Sequence, residues 1–375
     1  MHSSSRFHFE GSRRSFLAAV AVALALLLLV AVTPPPADAV QLVDVDVYTD
    51  IAYTDPVPET TRGNLLDLYI PDSPGKKKLP LIIWSSGSAW FSDEGKAGAE
   101  AIAEVFNQEG YAVAGVSVRS SLQARFPGQL HDIRAAIRWL RVHAKEYDLD
   151  PHRVAIMGNS SGGWLAAIAG TTSDIRRLPG ETGVGWTSSA VQAAVPFFPP
   201  TDFLQMNEWY VEHPEVISFI DHDAPLTPLA PPWSFPLASP ESLLAGCADP
   251  GGNLLGIQSC PEETQAANPI RYVRGHEVPM LILHGEADPL VPNGQSVLLY
   301  EALKGARNNV TFISVTGAGH SVSEPSPVGD PVIGAEDFTV FTSRGGREKV
   351  GDRPAPTWEN IEHFLNSALR VGQRH

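Results

Sequence analysis

Cysteine is nearly absent from this sequence: only Cys247 and Cys260 occur in 375 residues. Neither belongs to a C-x-x-C pair, and no His/Cys cluster has zinc-ligand spacing. That argues against a thiol-redox centre and a structural zinc, and neither a metal nor a cofactor is expected. Positive charge is scarce as well. Lys and Arg number 27 against 42 Asp and Glu, a formal net charge of −15 with no basic run. Nucleic acid and anionic membrane surfaces are therefore poor partners. No internal repeat is visible.

Long hydrophobic runs are also short in supply. Leu17 to Val32 is apolar over 16 residues, less than the roughly 20 that a spanning helix needs. It follows Ser12-Arg-Arg-Ser-Phe-Leu17 and precedes Ala37-Asp-Ala39. A charged n-region, an apolar stretch and an A-x-A site make residues 1–39 an export signal, with the mature chain starting at Val40. The paired arginines look like a bacterial twin-arginine signal. The expectation is an exported protein, secreted or in the cell envelope, with no stable membrane insertion once the signal is removed. In an oxidising compartment, two neighbouring cysteines in a Gly/Pro-rich segment predict a Cys247–Cys260 disulfide.

What the chain does have is a rhythm. Hydrophobic residues make up 43%, enough for a sizeable core. Strand-like runs at 80–84, 111–118, 153–158, 191–198, 278–284 and 310–315 alternate with helical patterns at 97–109, 129–147, 161–170, 294–303 and 358–369. Ile133, Ile137, Leu140 and Ala144 share one helical face. Such alternation predicts an α/β fold with a mostly parallel sheet flanked by helices. Residues 43–48 and 65–70 predict an antiparallel edge to the same sheet. Residues 40–375 then form one domain with two interruptions. Residues 199–262, rich in proline and aromatics including Phe203, Trp209, Tyr210, Trp233 and Phe235, predict a cap. Residues 321–356 predict a loop excursion.

The chemistry starts at Gly158-Asn-Ser160-Ser-Gly162-Gly163. A strand enters it and a helix leaves it, which is the setting of a G-x-S-x-G nucleophile elbow. Ser160 is the expected nucleophile, and the backbone N–H of Ser161 an oxyanion donor. In that case Ser161→Ala keeps the donor and should largely keep turnover. The expected base is His320, on the Gly-rich turn Thr316-Gly-Ala-Gly-His320 that ends a strand. His131, His143 and His152 are worse placed. The expected acid is Asp288 in His284-Gly-Glu-Ala-Asp288, with Asp202 and Glu286 as alternatives and His284 as a packing or supporting residue.

Several stretches together carry a family resemblance: Gln129-Leu-His-Asp-Ile-Arg-Ala-Ala-Ile-Arg-Trp-Leu140, Leu149-Asp-Pro-His-Arg-Val154, the elbow, Pro200-Thr-Asp-Phe203, His284 to Pro292, and Gly317-Ala-Gly-His320. Over roughly residues 43–320 and the last helix, the chain resembles α/β-hydrolase serine esterases of the hormone-sensitive-lipase and bacterial feruloyl-esterase-like type. The resemblance implies the α/β-hydrolase fold, a Ser-His-Asp triad, an acyl-enzyme route and no cofactor. It implies cleavage of carboxylic esters, small or linked to polysaccharide. One departure stands out. Where the family has His-Gly-Gly-Gly and an aromatic, this chain has Ser86-Gly-Ser-Ala-Trp90. Ser88 and Ala89 fall where the family's donor glycines lie, so they complete the expected oxyanion hole. Trp90 and Phe203 are the expected substrate contacts. Two other readings stand beside this one. A serine peptidase of prolyl-oligopeptidase kinship shares the fold and triad but usually adds a propeller, for which the residues ahead of the hydrolase pattern are too few. A non-catalytic binding protein on a hydrolase scaffold tends to lose triad members.

Overall fold

A computed structural model of the protein describes residues 43–72, 78–173, 175–223 and 237–371. Residues 1–39, expected to be an export signal, and Trp233 and Phe235 lie outside the described residues. Element order begins with β1 (Val45–Ala52), β2 (Leu65–Pro71), β3 (Leu79–Ser85), α1 (Ala99–Phe106), β4 (Ala112–Val116), α2 (Gly128–Val142), β5 (Leu149–Asn159), α3 (Ser161–Thr171) and β6 (Ala193–Phe197). The insertion expected as a cap follows, with α4 (Met206–Glu212), β7 (Ile220–Asp221), β8 (Leu237–Ala238), α5 (Pro240–Ala245) and α6 (Pro261–Ala266). The chain then returns through β9 (Met280–Gly285), α7 (Gly294–Gly305), β10 (Val310–Val315), β11 (Ala318–Ser321), β12 (Asp330–Pro331), β13 (Phe338–Arg344), β14 (Arg347–Gly351) and α8 (Trp358–Ala368).

A ten-stranded sheet runs in the order β1-β2-β4-β3-β5-β6-β9-β10-β13-β14. The six strands from β4 to β10 are parallel neighbours, and β1–β2 form the antiparallel edge expected from their alternating pattern. The parallel strands read as near-continuous apolar runs because both faces are covered. In β3, Leu81 and Ile83 join one core with Ile133 and Ile137 of α2, Leu165 of α3 and Leu299 of α7. Ile82 and Trp84 point the other way, into a core with Ile102 and Phe106 of α1 and Ile361 and Leu365 of α8. Helices on both faces fix the strand ends rigidly, and the carboxyl ends of β3, β5, β9 and β10 carry the candidate site.

The 321–356 segment does more than loop out. Its β13 and β14 form a hairpin that extends the central sheet past β10. The hairpin turn is Gly345-Gly346, both at positive φ (57° and 85°), as a two-residue turn of matching twist requires. A disulfide joins Cys247 to Cys260 and closes the loop between α5 and α6. Among the described residues, no helix is long and apolar enough to cross a membrane.

Candidate active site

Asn159 is the last residue of β5 and Ser161 the first of α3, so Ser160 alone turns strand into helix. Its backbone sits at φ 56°, ψ −125°, where residues other than glycine are rarely found. The flanking glycines let the turn close. A Cβ at Gly158 would lie 2.5 Å from the carbonyl oxygens of Gly162 and Ser85, and one at Gly162 would overlap the Ser85 carbonyl. Two bonds then fix it: the Ser160 N–H donates to Phe197 O at 3.0 Å, and the Trp164 N–H donates to Ser160 O at 2.8 Å. The serine itself stays half-buried.

His320 and Asp288 are brought together as the sequence predicts. His320 Nδ1 lies 2.7 Å from Asp288 Oδ2. Asp288 is fully buried, and its other oxygen accepts the N–H groups of Leu290 (2.8 Å) and Val291 (2.9 Å). Burial pushes its carboxyl up. The charge of His320 and hydrogen bonds from His284 and His320 outweigh burial and hold it well below the usual carboxylate range. The carboxylate is therefore charged at neutral pH, as a group that orients a histidine must be. Asp202 and Glu286 serve elsewhere. Asp202 accepts from Asn268 Nδ2, and Glu286 accepts from Ser314 Oγ.

Three residues support the pair: His284, expected from the sequence as a packing or supporting residue, and Phe198 and Tyr210, which were not apparent in it. His284 is buried with Nε2 2.9 Å from Val291 O and 3.3 Å from Asp288 Oδ2. Two acceptors around Nε2 demand a hydrogen there, so Nδ1 takes the Ser296 hydroxyl at 2.7 Å. Phe198 follows β6 with φ 36°, and its ring packs 4.3 Å from that of His320. Tyr210, from α4 of the insertion, donates its hydroxyl to Asp288 O at 3.1 Å. A strand-terminal aromatic and the tyrosine of the 199–262 insertion carry no pattern that announces these contacts.

The 86–90 loop departs from expectation. Ser88 does not offer its N–H freely, because that group donates to Ser161 Oγ at 2.9 Å. The Ser88 hydroxyl faces Ser92, 3.3 Å from its N–H. Ala89 and Ser161 are thus the remaining candidate donors. Trp90 and Phe203 are not open platforms either, being 5% and 0% exposed. Trp90 packs edge-on against Trp164 and Phe203, each at 5.6 Å. An aromatic at a site is as useful for filling a wall as for meeting a ligand, and burial decides for the wall here.

The model of the BD-FAE family matches residues 66–224 and 237–303. The match includes Ser160 and Asp288 and ends before His320. Esterase LipQ of Mycobacterium tuberculosis is 27% identical over 294 residues, 77% of this chain and 62% of LipQ. The chain thus spans less than two thirds of that relative. A truncated carbohydrate esterase from gut microbiota superposes with a TM-score of 0.62 at 26% identity, covering 88% of this chain and 99% of that one. A bifunctional GH43-CE protein of Bacteroides eggerthii gives 0.61 at 27% identity, covering 86% of this chain and 38% of the other.

Proposed function

The chain belongs to the BD-FAE family and has the α/β-hydrolase fold; from that premise we propose that it is a serine hydrolase of carboxylic esters. The observation that carries the reading is the Asp288–His320 bond of 2.7 Å, formed at the same end of the sheet as the elbow serine. In this reading Ser160 attacks the ester carbonyl while His320 takes its proton. The developing oxyanion meets the N–H groups of Ser161 and Ala89. His320 returns the proton to the leaving alcohol, and water then releases the acyl group by the same route in reverse. Asp288 stays charged throughout and holds the imidazole in place.

The insertion at 199–262 serves as the cap, a role supported by the Tyr210 hydroxyl on the Asp288 carbonyl. Residues 1–39 serve as a cleaved export signal, and the Cys247–Cys260 disulfide fits an oxidising destination. Polysaccharide-linked esters are the proposed substrates, in keeping with the carbohydrate esterase among the structural neighbours. The test is hydrolysis of acetyl, butyryl, long-chain and feruloyl esters by the purified mature chain, beside an aminoacyl amide. Ester turnover that Ser160→Ala abolishes supports the proposal. Faster turnover of the amide than of every ester would replace it with a peptidase.

A further inference from the structure

The loop over the nucleophile is strained and carries little glycine. Ala89 and Trp90 follow each other at φ 50° and 58°, in the left-handed region that side chains disfavour. Only Gly87 sits beside them, and it has no alternative: a Cβ there would overlap Ser160 Cβ and lie 2.5 Å from Asn159 O. Such a loop keeps its shape only if its surroundings impose it.

The surroundings that do so are the two residues flanking the nucleophile. Asn159 Oδ1 accepts the Gly87 N–H at 3.1 Å, and Ser161 Oγ accepts the Ser88 N–H at 2.9 Å. Asn159 ends β5 and Ser161 begins α3, so both acceptors stand on rigid elements. Successive loop amides thus meet alternate elbow side chains. The buried Trp90 ring anchors the far end of the loop on Trp164 and Phe203.

We propose that Asn159 and Ser161 are positioning residues whose side chains pin the 86–90 loop so that the Ala89 N–H faces the oxyanion. Ser161 then has two tasks: its backbone donates to the oxyanion and its hydroxyl fixes the other half of the hole. The oxyanion role rests on the esterase reading above, whereas the pin is a property of the fold. Ser161→Ala, which keeps the backbone N–H, is therefore not silent.

The experiment uses the mature chain and the variants Ser161→Ala, Asn159→Leu and Asn159→Asp, the last retaining an acceptor oxygen. Ser161→Ala and Asn159→Leu should each lower kcat on an aryl acetate by on the order of tenfold with KM changed less than about twofold. Phenylboronic acid, which forms a tetrahedral adduct with the serine, should bind more weakly in step with kcat/KM. Asn159→Asp should recover most of the Asn159→Leu loss. Hydrogen exchange at Gly87 and Ser88 should quicken in the two damaging variants. Unchanged exchange together with wild-type kcat and boronate affinity in Ser161→Ala overturns the proposal. Faster exchange in a protein whose wild type neither hydrolyses esters nor reacts with a fluorophosphonate supports the pin and removes the esterase reading instead.

Discussion

Replacing Asp288 with asparagine keeps the shape of the side chain and changes what it offers. All four of its neighbours present hydrogens: Leu290 and Val291 to Oδ1, His320 and His284 to Oδ2. The two backbone donors cannot turn, so the amide oxygen takes their place and the NH₂ faces both histidines. His320 then has to present a bare Nδ1 and carry its hydrogen on Nε2. In that tautomer it cannot accept the serine proton, and kcat should fall on the order of 10⁴-fold. His284 has no such escape, because Val291 O at 2.9 Å holds a hydrogen on its Nε2. One donor is left facing another in a buried site, which costs about 1–3 kcal/mol of stability. The assay pairs aryl acetate turnover with thermal unfolding. Activity within tenfold of wild type would refute the assignment of Asp288 as the partner of His320. Full stability with lost activity would refute the tautomer argument for His284.

Asp288 is held below the usual carboxylate range, so its contribution to stability is present above about pH 4 and is lost as pH falls further; denaturant melts of Asp288→Asn should show a shallower acid limb than wild type. Gly162→Ala places a methyl on the Ser85 carbonyl and should destabilise by at least about 1–3 kcal/mol while suppressing turnover; a wild-type melt would show that the elbow tolerates a side chain there. Cys247→Ser opens a short disulfide loop and should remove about 3 kcal/mol, read as a lower Tm that reductant no longer changes, whereas wild type falls to the same value on reduction.

Much of the fold is legible in the sequence because the parallel strands are buried on both faces and so read as uninterrupted apolar runs. The β13–β14 hairpin is harder to see. β13 is largely half-buried and β14 exposed throughout, both mixed with threonine or charge, and only Gly345-Gly346 marks the turn. The triad candidates stand out for a local reason: each lies where an apolar strand ends in a glycine-rich or acidic turn. The oxyanion loop does not yield in that way. Whether Ser88 donates to substrate depends on Ser161, 73 residues away, and no local pattern encodes that pairing. Trp90 and Phe203 fail for a related reason. Their identity calls for an apolar neighbour but leaves open whether that neighbour is a ligand or Trp164.

If Ser160 carries the acyl group, a covalent serine reagent must end up on that residue. The mature chain treated with a fluorophosphonate is digested and its adduct located by mass spectrometry. One modified peptide is expected, bearing the label on Ser160, with labelling and ester hydrolysis both lost in Ser160→Ala. Label on another residue, or ester hydrolysis that persists in Ser160→Ala, would contradict it.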